Sequence, residues 1–160
     1  MVSCGPRASL AVVTAPVQHA LHTLPTPDDV VGASVVAFDP GRRVGVAWVT
    51  SGGGLLWSAV IAAEDLGRVA VPVGARIVVG DGTGSRALAA ALEALGMRAE
   101  PVDERGTSEH ARALYWRRHP PRGVGRLVPV GLRVPPRAID DFAAYAIALR
   151  ALGASARPRA

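Results

Sequence analysis

Five short runs of aliphatic and β-branched residues, strung along positions 35–102, constrain this 160-residue chain more than any other feature. Val35-Val36-Ala37-Phe38 is apolar at every position, as a strand covered on both faces requires, and Asp39-Pro40-Gly41 ends it in a turn. Val44 to Thr50 resumes the strand pattern, Ser51 to Gly54 is turn material, and Leu55 to Ile61 supplies a third run. Connections this short leave no room for a crossover, so these three strands are expected to form an antiparallel meander.

The later runs alternate with helical patterns. Ala62 to Val69 is expected to form a helix, weakened by Gly67, before a fourth strand at Arg76 to Val79 and a turn at Gly80-Asp81-Gly82-Thr83-Gly84. Ser85 to Leu95 then places Leu88, Leu92 and Leu95 at helical spacing, with Gly96 as the stop. Met97 to Val102 is a fifth strand, Thr107 an N-cap for a helix through Ala111, Leu114 and Tyr115, and Asp140 to Leu152 an alanine-rich final helix. Pro120 to Pro136 is too rich in proline, glycine and arginine for one regular element. The order βββαβαβαα predicts an α/β domain: a mixed five-stranded sheet, three antiparallel strands followed by parallel ones, flanked by helices. That is the element order of a ribonuclease H-like domain.

Size and composition agree with one domain, expected over residues 34–153. Residues 1–33 form an N-terminal extension in this reading, with Thr23 to Asp29 as a linker, and 154–160 form a polar tail. A chain that is 49% hydrophobic can bury enough surface to offset the entropy of ordering it, which excludes global disorder. No apolar run approaches the ~18 residues of a membrane-spanning helix. The apolar stretch after Arg7 is broken by Pro16 and followed by no small-residue cleavage site, so it does not fit a signal peptide. Cys4 is the only cysteine, which removes internal disulfides and cysteine metal clusters and makes the cytoplasm the expected compartment.

Charge is regional. All 18 basic residues are arginine, and from Arg105 to Arg137 eight arginines oppose a single acid, Glu109. The remaining ten arginines oppose twelve acids, so the net charge of +5 arises from one segment. Such a patch is the footprint of a phosphate-binding surface. Within it Arg105, Arg112, Arg117, Arg118, Arg122, Arg126, Arg133 and Arg137 are candidate nucleic-acid contacts, joined by Arg42 and Arg43 after the first strand. Trp116 is a candidate to stack on an unpaired base, although Tyr115 or Trp116 would equally serve to anchor their helix in the core. His119 fits a loop residue better than a metal ligand.

Several acids sit at the ends of elements. Asp39 closes the first strand, Asp81 follows the fourth, Asp103 and Glu104 follow the fifth, and Asp140 and Asp141 open the last helix. Each has a plain role as a turn former, a helix cap or half of a surface ion pair. Brought together on one sheet edge they would repel one another unless a cation sat among them. Oxygen donors suit Mg²⁺ or Mn²⁺, and two such ions about 3.5–4 Å apart clamp the attacking and leaving oxygens of phosphoryl transfer.

Four stretches in order carry a resemblance to a known family: Val36 to Ala47, with Phe38-Asp39-Pro40-Gly41-Arg42-Arg43 at its centre; Val78 to Thr83; Val102-Asp103-Glu104-Arg105-Gly106-Thr107; and Ile139-Asp140-Asp141-Phe142-Ala143-Ala144. Together they resemble the YqgF (RuvX) family of Holliday-junction resolvases and pre-16S ribosomal RNA nucleases, related to RuvC-type resolvases in the ribonuclease H-like superfamily. The resemblance spans Val35 to Leu152. It implies a metal-dependent endonuclease in which Asp39 contacts both ions, Glu104 is the second acid and Asp141 the third, with Asp140 as the neighbouring candidate. Asp81 departs from the family pattern and stands either as a further ligand or as a turn residue. The implied partners are branched DNA or structured RNA, no membrane, and a homodimer if a four-way junction is cut symmetrically. Two other classes remain open: a nucleic-acid-binding module without activity, and an actin-like ATPase using Gly80 to Gly84 as a phosphate loop, for which some 120 folded residues leave no second domain.

Overall fold

The computed structural model describes residues 23–153. The Arg7 to Val17 run, Cys4 and the polar tail from 154 therefore lie outside the described residues. One five-stranded sheet runs in the order β3-β2-β1-β4-β5. β1 (Val35–Asp39), β2 (Val44–Val49) and β3 (Leu55–Ile61) are antiparallel, whereas β4 (Arg76–Gly80) lies parallel to β1 and β5 (Ala99–Val102) parallel to β4. This is the α/β, ribonuclease H-like arrangement that the strand and helix patterns predict.

β1 is central and, like β2, is buried on both faces. Val36 and Phe38 join Val46, Trp48, Ile61 and Val79 on one face, beneath α1 (Ser85–Ala94). The Trp48 indole N–H is satisfied there by the Ala70 carbonyl at 2.7 Å. Val35 and Ala37 join Ala47, Val49 and Val78 on the other face, beneath α2 (Thr107–Arg118) and α3 (Asp140–Ala151). Small residues dominate this second face. Ala144, Ala146 and Ala148 of α3 are fully buried, so the helix lies close to the sheet. At Gly45 the approach is closest: a Cβ there would run into the Asp140 carbonyl. Because Gly45 pairs with Asp39, this contact sets the first turn of α3 beside the end of β1.

Three local expectations are corrected. The helix expected at Ala62 to Val69 is a 3₁₀ helix, Ala63–Arg68, since Leu66 alone is buried in it and Gly67 disfavours a longer element. Thr107 is not an N-cap: Gly106, at φ +77°, holds that position, and the Thr107 hydroxyl instead donates back to the Glu104 carbonyl at 2.6 Å. The packed unit also begins before residue 34. Thr26 and Asp29 form a reciprocal capping box around the 3₁₀ helix Pro27–Val30, Val30 is fully buried, and the Trp57 indole donates to the Thr23 carbonyl at 3.1 Å. Thr23 to Asp29 is thus anchored rather than a linker.

The segment between α2 and α3 is irregular, as its composition predicts, with two 3₁₀ turns at Gly123–Leu127 and Val130–Leu132. Arg133 staples it by donating to the Val128 carbonyl at 2.6 Å and the Arg126 carbonyl at 3.0 Å. It presents Val124, Leu127, Leu132 and Val134 at 84, 85, 73 and 84% exposure. No helix among the described residues is long and apolar enough to cross a membrane.

Adding one methyl at the α3 seat tests this packing. Gly45→Ala is expected to destabilise the protein by about 2–3 kcal/mol, through overpacking against rigid backbone. Urea unfolding measures it; a variant as stable as the parent would contradict the close seat.

Candidate active site at the carboxyl end of the sheet

The parallel strands β1, β4 and β5 end at one edge of the sheet, where open α/β sheets place their ligands. Three carboxylates reach this edge from separate elements. Asp39 ends β1, Glu104 follows β5, and Asp140 begins α3, whose first turn rests on Gly45. Their proximity is registered in the chemistry of Asp39. Burial, followed by the negative charges of Asp140 and Glu104, pushes its carboxyl up to about 7. Asp140 is raised as well, first by burial and then by the charge of Asp141, with Arg137 partly offsetting both.

Glu104 is held by its backbone. Its N–H donates to Asp81 Oδ1 at 3.0 Å, and its carbonyl accepts the Thr107 hydroxyl. Arg150 of α3 donates to the carbonyls on either side, those of Asp103 and Arg105. The carboxylate lies over the loop after β4, where a Cβ on Gly80 or Gly82 would collide with it. Asp81 therefore bridges that loop to the Glu104 backbone through Oδ1.

Asp141 goes elsewhere. It is 1% exposed, forms a two-pronged pair with Arg137 (Nη1 to Oδ1 2.9 Å, Nη2 to Oδ2 3.1 Å) and accepts the Ser58 hydroxyl of β3 at 3.1 Å. The Arg137 guanidinium also lies over the rings of Tyr115 and Phe142, 5.5 and 5.6 Å from their centroids. One residue along a helix turns the side chain by about 100°, which is enough to send Asp140 to the sheet edge and Asp141 into the interior. The geometry thus puts Asp140 beside Asp39, in the place that the resemblance gives to Asp141.

The basic and aromatic candidates also divide. Arg137 is committed to Asp141 and Arg133 to the loop carbonyls. Trp116 packs against the α2–α3 core and donates its indole N–H to the Arg133 carbonyl at 3.3 Å, so it anchors the loop rather than offering a stacking face. Arg42, Arg43, Arg105, Arg117, Arg118, Arg122 and Arg126 are exposed, and Arg112 is partly covered. Arg105 stands 3.5 Å from the Asp103 carboxylate.

Asp39, Glu104 and Asp140 offer hard oxygen donors crowded by like charge, which is the chemistry a Mg²⁺ or Mn²⁺ ion relieves. Among the described residues no three His, Cys, Asp or Glu side chains stand close enough to hold an ion by themselves. Hard cations of this kind take the rest of their coordination from water and substrate phosphates, so one or two carboxylates suffice to seat them.

Four features escape a reading based on acids alone, yet each leaves a trace in the sequence. Gly45 interrupts an otherwise apolar strand, the mark of a close backbone approach. Ser58 is the polar residue within Leu55 to Ile61, Arg137 and Asp141 have the i,i+4 spacing of a helical ion pair, and Arg150 lies near the end of α3. No family model and no curated protein matches the chain.

Two measurements probe this arrangement. With its carboxyl raised, folded Asp39 keeps a proton that the unfolded chain has already lost between about pH 4 and 7. Stability in metal-free buffer should therefore decline as pH rises through that window. Asp39→Asn should flatten the decline and raise stability at pH 8, on the order of 3 kcal/mol; an unchanged pH profile would contradict the burial and crowding of Asp39. Arg137→Ala should cost about 3–5 kcal/mol by leaving Asp141 charged and buried without its partner, as read by thermal or urea unfolding.

Proposed function

We propose that this protein is a divalent-metal-dependent nuclease that hydrolyses phosphodiester bonds in structured nucleic acid, either branched DNA or a ribosomal RNA precursor, and that it belongs with the YqgF (RuvX) proteins it resembles. The observation that carries the reading is the electrostatic coupling of Asp39 to Asp140 and Glu104 at the carboxyl edge of a ribonuclease H-like sheet. Burial and the charges of Asp140 and Glu104 make an ionised Asp39 costly, and α3 and the loop after β5 bring those two charges to the end of β1.

Asp39, Glu104 and Asp140 are the residues that would hold Mg²⁺ or Mn²⁺, as two ions in this class of enzyme. A bound divalent cation supplies charge neutralisation at the phosphate and makes a coordinated water easier to deprotonate. The chain's own contribution would be to present Asp39 and Asp140 at the sheet edge, to fix Glu104 through Asp81, Thr107 and Arg150, and to hold the polyanion on exposed arginines. Binding should then weaken steeply with salt, as phosphate contacts require. Action on a four-way junction would need two such sites in a homodimer, whereas trimming an RNA precursor would not. The cytoplasm is the compartment this role implies.

A second reading is a nucleic-acid-binding module without catalysis, favoured by exposed arginines that need no metal to meet phosphates. One panel separates the two. Wild type, Asp39→Asn, Asp140→Asn and Asp141→Asn are incubated with junction DNA, flayed duplex, single strands, RNA–DNA hybrid and structured RNA, with Mg²⁺ or Mn²⁺. The nuclease reading expects cleavage by wild type, lost at least about a hundredfold in Asp39→Asn and Asp140→Asn with binding retained. Asp141→Asn should lower the Tm yet, while folded, keep more activity than either. Metal should raise the Tm of wild type and not of Asp39→Asn. Full cleavage by Asp39→Asn would refute the mechanism, and binding without cleavage by any form would support the module.

A further inference from the structure

The irregular segment between α2 and α3 has its polarity turned inside out. Arg133 turns its guanidinium back onto the loop's own carbonyls, and the Trp116 indole holds the Arg133 carbonyl. The aliphatic side chains go the other way: Val124, Leu127, Leu132 and Val134 are 73 to 85% exposed and join the core on neither face of the sheet. The 3₁₀ helix Gly123–Leu127 buries none of its residues. Because a 3₁₀ turn takes three residues, Val124 and Leu127 stand one above the other on the same side of it and form a short apolar ridge. Arg122 and Arg126, both exposed, lie beside that ridge along the chain.

Aliphatic side chains scattered singly over a surface are ordinary, but four on one pinned segment mark a contact surface. From Pro120 to Arg137 the segment carries four arginines and no acid, so its partner must be anionic as well as apolar. A second copy of the chain brings the same positive charge and is disfavoured. The side of a continuous duplex presents phosphates while its bases are covered by their stacking neighbours, which leaves the ridge facing charge. The end of a nucleic-acid helix, or the mouth of a branch, presents both surfaces: a flat base-pair face without its stacking neighbour, edged by the phosphates of two strands.

Position adds to the case. The second 3₁₀ turn, Val130–Leu132, rests against α2, which carries the exposed Arg117. Arg137 closes the segment by pairing with Asp141, so the ridge is joined to the candidate site through the first turn of α3. We propose that the Val124–Leu127 ridge caps an unstacked base-pair face, with Arg122 and Arg126 on the adjoining phosphates, and so directs the protein to helix ends and branch points rather than to continuous duplex. This specificity role rests on the nucleic-acid reading above and names the feature of a structured substrate that is recognised. It requires neither metal nor cleavage.

Fluorescence anisotropy of the full chain in EDTA, where a metal-dependent reaction is silent, tests it. The probes are a stem-loop with one open end and a dumbbell of the same stem closed at both ends, each made in DNA and in RNA. Wild type should prefer the open stem by about tenfold, and 2-aminopurine in its terminal pair should report altered stacking. Val124→Ser/Leu127→Ser should bind both probes equally, at the wild-type affinity for the dumbbell and with an unchanged Tm, since neither side chain is packed. Arg122→Ala/Arg126→Ala should weaken both probes alike, and that loss, unlike the end preference, should shrink as salt is added. A preference confined to DNA or to RNA supports the proposal and identifies which of them supplies the end. An end preference without cleavage in Mg²⁺ sinks the nuclease and leaves this role standing; cleavage without an end preference does the reverse. Equal affinity of wild type for the two probes, or a preference undiminished in the serine variant, overturns the proposal. So does binding to phosphatidylglycerol vesicles that the serine variant loses, with no end preference in wild type, which assigns the ridge to a lipid surface.

Discussion

The seat of α3 on β2 is the contact on which the rest of the candidate site depends. Gly45 lets the helix backbone touch the sheet, and the touch fixes both the height and the rotation of the first helical turn. From that rotation two adjacent aspartates acquire opposite fates. Asp140 joins Asp39 at an edge where charges compete, while Asp141 is neutralised inside by Arg137 and Ser58. The ion pair and the site are thus two ends of one constraint. The Ser58 hydrogen bond to Asp141 ties the start of α3 to β3, and a displaced helix would separate Asp140 from Asp39.

Crowded carboxylates alone do not make a reactive site; their supports decide what they can do. Glu104 is gripped through backbone groups by Asp81, Thr107 and Arg150, which come from the β4 loop, α2 and α3 respectively. Its carboxylate stays over two glycines whose missing side chains make the space for it. Fixing a negative group by its main chain leaves the side chain available for a cation. The burial of Asp39 near Asp140 and Glu104 is a cost that the folded state bears whenever that carboxyl is ionised.

Much of this was legible from residue order. The uninterrupted apolar run of β1 marked the centre of the sheet, the short turns around Pro40 and Gly52 enforced the meander, and Leu88 with Leu92 announced α1. Asp39 and Glu104 could be placed at the edge because strand ends are easy to locate in such runs. The choice between Asp140 and Asp141 could not, because neighbours on a helix differ only by a rotation that tertiary packing sets. Thr107 misled for a related reason: threonine suits an N-cap, but Gly106 reaches a left-handed backbone more cheaply and took the position. The anchoring of Thr23 to Asp29 was hidden because prolines read as a linker, while the burial of Val30 depends on β3 and the core above it. Trp116 and Arg133 pointed to nucleic acid by type, yet each is spent on holding a loop that has almost no regular hydrogen bonding of its own.

That stapled loop has a bearing on how the protein behaves in a test tube. Its four aliphatic side chains project into water on a segment whose only formal charges are positive. At low ionic strength, two molecules meeting through this region repel one another before their greasy tips can touch. Salt shortens the reach of that repulsion to a few ångströms and strengthens the attraction between the tips. Colloidal solubility therefore falls with added electrolyte, and concentrated salt is the condition in which the molecules are most prone to cling to each other.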